Sequence, residues 1–239
     1  MKVLVLQARP PGDTMLEHEQ QCFARATGLD GDTLRFVNVA IERPSMALLD
    51  GLDALLVGGS GHFSVTRPDQ PFFAPMAELL LEVVERGLPT FASCFGFQLL
   101  ATALGGSVIN DPARREVGSF RIALTADGRQ DPLFGSLPAE FTAQQGHVDR
   151  VERLPAGVLH LAASERSPYQ ALRVQGKPIW ATQFHPELDQ AGNYRRYLAY
   201  IAKYGPSAFA EPGHPFTNEP SPEVDRLLAT FVRHVLPSA

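Results

Sequence analysis

The sequence predicts a three-layer α/β fold, a mostly parallel sheet covered by helices on both faces, and three observations carry that expectation. Apolar runs of four or five residues recur along the first half, short enough for strands and unbroken enough to be buried on both sides. The early ones alternate with longer stretches of helical character, as strand–helix–strand units require. Glycine and proline stand at the ends of these stretches, where a chain must turn. The 239 residues, 44% of them apolar, suffice for one such unit, so 1–239 is expected to be a single domain with a helical C-terminal extension at about 188–239.

In chain order, Val3 to Leu6 reads as a buried strand and Thr14 to Thr27 as a helix carrying Leu16, Cys22 and Phe23. Leu34 to Val39 and Ala54 to Val57 are the next strands. A helix from about Phe73 to Glu85 bears Leu79, Leu80, Leu81, Val83 and Val84 and is stopped by Gly87-Leu88-Pro89. A strand entered at Phe91 leads into a helix that closes at Gly105-Gly106. The pattern then shortens to Gly118 to Leu124, Glu140 to Thr142, Gly157 to Ala162 and Tyr169 to Val174, a small mixed or antiparallel addition feeding a last strand from Pro178 to Phe184. A helix at Tyr194 to Tyr204, a proline-rich connection at Pro206 to Pro222 and a terminal helix at Glu223 to Val235 complete the chain. Tyr194, Tyr197, Tyr200 and Tyr204 fall at near-helical spacing, a stripe expected to pack on the parent domain. In such a sheet, here of flavodoxin-like type, functional loops gather at the carboxyl ends of the strands.

The charge balance excludes some partners. With 21 basic and 26 acidic residues and no block of one sign, nothing resembles a nucleic-acid footprint. No apolar stretch approaches a membrane span, and the apolar start at Met1 to Gln7 is too short for a signal peptide. Two cysteines, Cys22 and Cys94, fit a reduced, cytoplasmic protein.

Cys94 is the residue with chemistry to explain. Phe91-Ala92-Ser93-Cys94-Phe95-Gly96-Phe97-Gln98 runs an apolar strand into a thiol with small residues two positions to either side. Ala92 and Gly96 let the backbone turn sharply from strand to helix, holding a nucleophile at the corner. The helix N-terminus beneath it favours a thiolate. Far downstream, the last strand ends at His185-Pro186-Glu187. Side chains two apart on an extended segment share a face, so Glu187 is expected to orient His185 as a base. Nucleophile, base and orienting carboxylate are then Cys94, His185 and Glu187. Cys22 has no such frame and is expected in the core. His18, His62, His160, His214 and His234 belong to no motif, and no cluster has metal-ligand spacing, so neither metal nor cofactor is expected.

At these residues the chain resembles the class I glutamine amidotransferases, whose elbow reads Gly-x-Cys-x-Gly-x-Gln and whose base lies in His-x-Glu at a strand end. Two further motifs match: Gly58-Gly59 after an early strand, and His147-Val148-Asp149 ahead of Leu154-Pro155. Within the family the likeness is to stand-alone, GMP-synthase-like amidotransferase domains. The chain departs from the pattern at Ala92, where glycine is usual and a methyl is added at the tightest point of the elbow, at Ser60, where proline is usual, and at Phe97, where many relatives carry histidine.

The resemblance implies hydrolysis of the side-chain amide of L-glutamine through a γ-glutamyl thioester on Cys94. It implies that the amides of Gly59 and Phe95 bind the oxyanion, and that Gln98, Gly58, Gly146 and His147 contact the substrate, Gln98 by holding its α-amino-acid end or the elbow itself. Ammonia would pass to an acceptor. The chain carries no Gly-x-x-x-x-Gly-Lys-Ser/Thr loop and no stretch for a synthetase, so the acceptor site is expected on a partner chain. Two alternatives stand beside this: a γ-glutamyl peptidase or hydrolase using the same triad and thioester, and a non-catalytic sensor of a small amino acid.

Overall fold

The computed structural model describes residues 1–204 and 216–236, with side chains for all of these except 203 and 204. Most of the proline-rich connection and the side chain of Tyr204 lie outside the described residues. The first half reads β1 (Val3–Gln7), α1 (Met15–Thr27), β2 (Leu34–Asn38), β3 (Ala54–Val57), α2 (Phe73–Arg86), β4 (Thr90–Ser93) and α3 (Phe95–Ala103). The second half supplies β5 (Ser107–Asn110), β6 (Glu116–Leu124), α4 (Ala126–Gln130), β7 (Glu140–His147), β8 (Asp149–Arg153), β9 (Val158–Ala163), β10 (Ala171–Val174), β11 (Ile179–Thr182), α5 (Gln190–Tyr204) and α6 (Leu227–Val235).

Among the described residues one nine-stranded sheet has the order β2-β1-β3-β4-β11-β10-β9-β6-β7, and β5 with β8 forms a separate two-stranded sheet. From β2 to β11 every pairing is parallel, and from β11 to β7 every pairing is antiparallel. The expected α/β class, with its mixed addition, is the class observed.

Strand alternation explains why both faces need covering. Val3 and Val5 join a cluster with Phe23 of α1 and Phe231 of α6, whereas Leu4 and Leu6 join a second with Leu79, Leu80 and Val83 of α2 and Leu100 of α3. Phe91 and Ala92 divide in the same way, as do Trp180 and Ala181. The central strands therefore read as continuous apolar runs because neither face meets water.

Four expectations about elements are corrected. β7 does not stop at Thr142 but runs to His147, paired residue by residue with β6 from Glu116↔His147 to Ala123↔Glu140. The strands β5 and β8 were not expected. The last strand ends at Thr182, and α5 begins at Gln190 rather than Tyr194. The terminal helix is a 3₁₀ turn, Val224–Arg226, continued by α6. The tyrosine stripe packs inward in part: Tyr197 stacks on Phe216 with ring centroids 3.7 Å apart and Tyr200 reaches Arg9, while Tyr194 stays 47% exposed. Among the described residues no helix is long and apolar enough to cross a membrane.

Candidate active site

β4 delivers Cys94 to the corner between strand and helix. Its backbone lies at φ 50° and ψ −102°, the one positive φ outside glycine among the described residues. A side chain there is strained, and the surrounding hydrogen bonds hold it: the Cys94 amide donates to the Thr182 carbonyl at 2.7 Å, and the Gln98 amide to the Cys94 carbonyl at 3.0 Å. The close approach at this elbow is Gly96, where a Cβ would stand 2.7 Å from Val57 Cγ1 and 3.0 Å from the Val57 carbonyl oxygen. Ala92, by contrast, sits in regular strand paired with Ala181, its methyl absorbed by the apolar cluster. The tight point expected at Ala92 is therefore two residues beyond the thiol.

His185 and Glu187 come together, but not as neighbours on an extended strand. Past Thr182 the chain bends, the His185 amide donates to the Gln144 carbonyl at 2.9 Å, and the Leu188 amide returns to the His185 carbonyl at 3.2 Å. This turn sets His185 Nδ1 2.7 Å from Glu187 Oε1, both side chains almost fully buried. Nδ1 is the donor in this contact, which leaves Nε2 for other chemistry. Burial opposes charge on both groups. For His185 the Glu187 carboxylate and then Cys94 outweigh it and raise the imidazole to about 9. For Glu187 the facing His185, with a contribution from Arg196, outweighs it and lowers the carboxyl to about 2.

These shifts fix a stability window. Glu187 lowered from 4.5 contributes above about pH 4.5 and loses that contribution as pH falls toward 2. His185 raised from 6.5 contributes below about pH 6.5 and loses it as pH rises through 9. The melting-temperature advantage of wild type over His185→Gln is accordingly largest near pH 5–6 and narrows by pH 9, which scanning calorimetry across that range checks.

The Gly58 to Gly61 turn lies against this centre with unequal roles. A Cβ on Gly59 would stand 2.6 Å from His185 Cε1 and 3.4 Å from Cys94 Cβ, so the bare backbone is what lets the turn approach both. Gly58 faces elsewhere: a Cβ there would meet Glu19 and Phe23. Ser60 keeps the turn tight in place of the usual proline, its Oγ accepting from the amides of His62 and Phe63. Phe95 opens α3, where the first amides of a helix have no intrahelical acceptor.

A cavity of about 240 Å³ opens beside Cys94, lined among others by Ser64, Gln98, Asn110, Gly146, His147 and Asp149. Gln98 belongs to the wall and to the scaffold: its Nε2 donates to the Asp149 carbonyl at 2.7 Å and to Gln183 Oε1 at 3.1 Å, tying elbow to β8 and to the residue that follows β11. Asp149 is held by Asn110 Nδ2 at 2.6 Å and by Ser64 Oγ. His147 is buried, with Nε2 2.9 Å from Glu116 Oε2 and Nδ1 3.0 Å from the Asp149 carbonyl, so it shapes the wall rather than reaching into the space. Gly146 lies 3.9 Å, measured from a built Cβ, from His185 Nε2. Phe97 is fully buried in the core and does not line the cavity, so its departure from histidine does not touch what binds there.

A second thiol and imidazole, Cys22 and His18 on α1, also come within 3.6 Å. Burial pushes that thiol up to about 11 and that imidazole down to about 4, so both stay neutral and the pair is inert, as expected of a core cysteine. Sequence reasoning missed Arg196, whose guanidinium lies behind His185 and Glu187, and Glu19, Arg9 and Glu116, which are buried and paired. None stands in a motif, and only the folded helices α1 and α5 bring the first three together.

A model of the family described as glutamine amidotransferase class-I matches residues 34–201. The chain is 37% identical over 135 residues to a GMP synthase [glutamine-hydrolyzing] of Thermosipho africanus, covering 56% of this chain and 24% of that protein. It is 40% identical over 134 residues to the corresponding enzyme of Thermomicrobium roseum, covering 56% and 23%. The chain thus spans about a quarter of the length of these curated relatives. Among solved structures, a glutamine amidotransferase from Thermotoga maritima shares the fold with a TM-score of 0.72 at 19% identity, covering 100% of this chain and 99% of that one. A glutamine amidotransferase from Methylobacillus flagellatus shares it with a TM-score of 0.73, also at 19% identity, covering 100% and 96%. By the family model that spans most of its length, the chain belongs to the class I glutamine amidotransferases.

Proposed function

We propose that the chain hydrolyses the side-chain amide of L-glutamine with Cys94 as nucleophile, His185 as proton carrier and Glu187 as the group that orients His185. The observation that carries this is the strained elbow: Cys94 is held at φ 50° at a strand–helix corner with the buried His185–Glu187 pair beside it.

In the first step Cys94 sulfur attacks the δ-carbonyl carbon of glutamine, the C–N bond breaks, and His185 gives its proton to the departing nitrogen, leaving ammonia and a γ-glutamyl thioester. In the second, His185 takes a proton from water as the water oxygen attacks the thioester carbon. The C–S bond breaks, and glutamate and the free thiol result. The amides of Gly59 and Phe95 receive the oxyanion in both steps, an arrangement typically worth about 10²–10³ in rate per donor. Ammonia is passed to an acceptor site outside residues 1–239; that the matches cover only 24% and 23% of the two synthases supports that division.

The test is steady-state glutamate release by the purified chain, comparing L-glutamine with γ-glutamyl dipeptides and glutathione, with hydroxylamine added to trap the thioester as γ-glutamyl hydroxamate. Preference for glutamine with hydroxamate formation is the expected outcome. Preference for dipeptides makes the protein a γ-glutamyl peptidase, and glutamine binding without turnover makes it a sensor; either overturns the proposal.

The same reading sets an expectation for Gly59→Ala. A methyl 2.6 Å from His185 Cε1 must displace the imidazole, and a displacement of this size costs roughly 10²-fold in rate. Glutamine kinetics show the loss in kcat, with an unchanged circular dichroism spectrum.

A further inference from the structure

We infer that Arg196 is a positioning residue for the His185–Glu187 pair: lodged between Glu187 and Glu19, it weakens the carboxylate's hold on the imidazolium, so that a change at Cys94 is enough to decide when His185 releases its proton.

The argument starts from which charges need Arg196. Glu19 does not: Arg9 grips it through Nη2 at 2.9 Å and Nε at 3.1 Å, Gln7 Nε2 adds a bond at 2.8 Å, and Arg196 Nη2 stands off at 3.8 Å. Glu187 does. Its Oε1 has His185 Nδ1 at 2.7 Å and Arg196 Nη1 at 3.5 Å, and its Oε2 has no hydrogen-bond partner. Arg196 Nη1 also lies 3.2 Å from His185 Nδ1. Since Nδ1 carries its hydrogen toward Glu187, this contact sets donor against donor and cannot be a hydrogen bond. An arginine pressed on the protonated edge of a ring repels the imidazolium.

The other charges facing the pair sharpen the point. From the elbow comes Cys94, from α5 Arg196, from α1 Arg25, whose Nη2 donates to the Glu187 carbonyl at 2.9 Å and which pairs with Asp189, and, behind Arg196, Glu19 with Arg9 upon it, Arg9 being shared with Asp13. His18 and Cys22 on α1 are neutral, held at about 4 and about 11. Arg9 is shared between Glu19 and Asp13, and Arg196 offsets part of the Glu187 charge that does most to keep the proton on His185, Cys94 coming next. Once the sulfur is bound in a thioester the Cys94 contribution is gone, and with the hold of Glu187 already weakened the ring becomes the base the second step needs. Without Arg196, Glu187 would hold the imidazolium through the thioester state and the second step would stall.

The kinetic part of this rests on the proposed glutaminase reaction, and the titration part does not. The decisive measurement is an NMR titration of His185 in Cys94→Ala protein labelled at histidine, with and without Arg196→Met. The Cys94→Ala background removes the contribution of the sulfur, and His185→Gln assigns the signal among the seven histidines. Removing the adjacent positive charge is expected to raise the His185 midpoint by about one pH unit or more, and Arg196→Lys to leave it near the parent value. With Cys94 intact, R196M is expected to release ammonia in a burst followed by slow turnover, a pattern that a merely loosened fold does not produce. Should R196M fail to fold, R196Q carries the same comparison. A midpoint that moves by less than about 0.3 unit, or moves down, overturns the inference. A midpoint that rises in protein that turns over no glutamine leaves Arg196 its role in the pair and removes the glutaminase reading instead.

Discussion

Replacing Cys94 by alanine is expected to lower glutamine turnover by at least about 10⁴-fold, because the proposed covalent route has no second nucleophile to fall back on. Cys22 cannot substitute: it is buried on α1 and its thiol is pushed up to about 11. Water attacking directly would keep only what the oxyanion amides and the cavity contribute, the residual that triad enzymes retain. Glutamine binding should survive, since the wall made by Gln98, Asp149 and His147 does not depend on the sulfur. Steady-state glutamate release, read beside isothermal titration of glutamine into the variant, separates the two effects. Activity within about tenfold of wild type would show that the elbow is not the reacting centre.

Gly96→Ala is expected to have the second-largest effect, and to act on fold and rate together. The added carbon would lie 2.7 Å from Val57 Cγ1 and 3.0 Å from a backbone oxygen of β3, which cannot swing aside as a side chain can. Either α3 lifts off the sheet or β3 shifts, an overpacking cost of about 1–3 kcal/mol. For a chain of this size that lowers Tm by roughly 2–12 °C. Because Phe95 and Cys94 ride on the same turn, the displacement also moves the Cys94 sulfur and the Phe95 amide relative to His185, and under the proposed reaction kcat should fall by about 10²-fold. Calorimetry and glutamine kinetics on one preparation test both; a variant with wild-type Tm would mean that Val57 yields.

How much of this was legible beforehand follows from what local sequence can encode. The central strands were readable because burial on both faces writes an unbroken apolar run, and Cys94 because a strand–helix corner requires small neighbours such as Gly96. His185 and Glu187 were found by motif although the geometry inferred for them was wrong: a turn after Thr182, not an extended strand, brings them together. The extent of β7 was hidden because Gln144 and Gln145 do not alternate as a half-exposed strand does; both are polar residues buried in a network with Gln170, Ser119 and Ser221, and an exposed glycine, Gly146, follows them. Arg196 was invisible in principle. An arginine on a tyrosine-rich helix reads as solvated, and only the packing of α5 over the His185 turn and α1 gives it buried charges to answer.

The position of β11 in the sheet carries a consequence for how the protein acquires its activity. β4 and β11 are adjacent, Thr90 beside Ile179, while β5 through β10 all lie between them in sequence. Bringing them together closes a long loop, the kind of non-local contact that slows folding. During synthesis Cys94 leaves the ribosome long before His185, and the two meet only once the middle of the sheet is zipped. Refolding followed at once by fluorescence of Trp180, on β11, and by glutamate release should therefore show both signals rising in the same late phase.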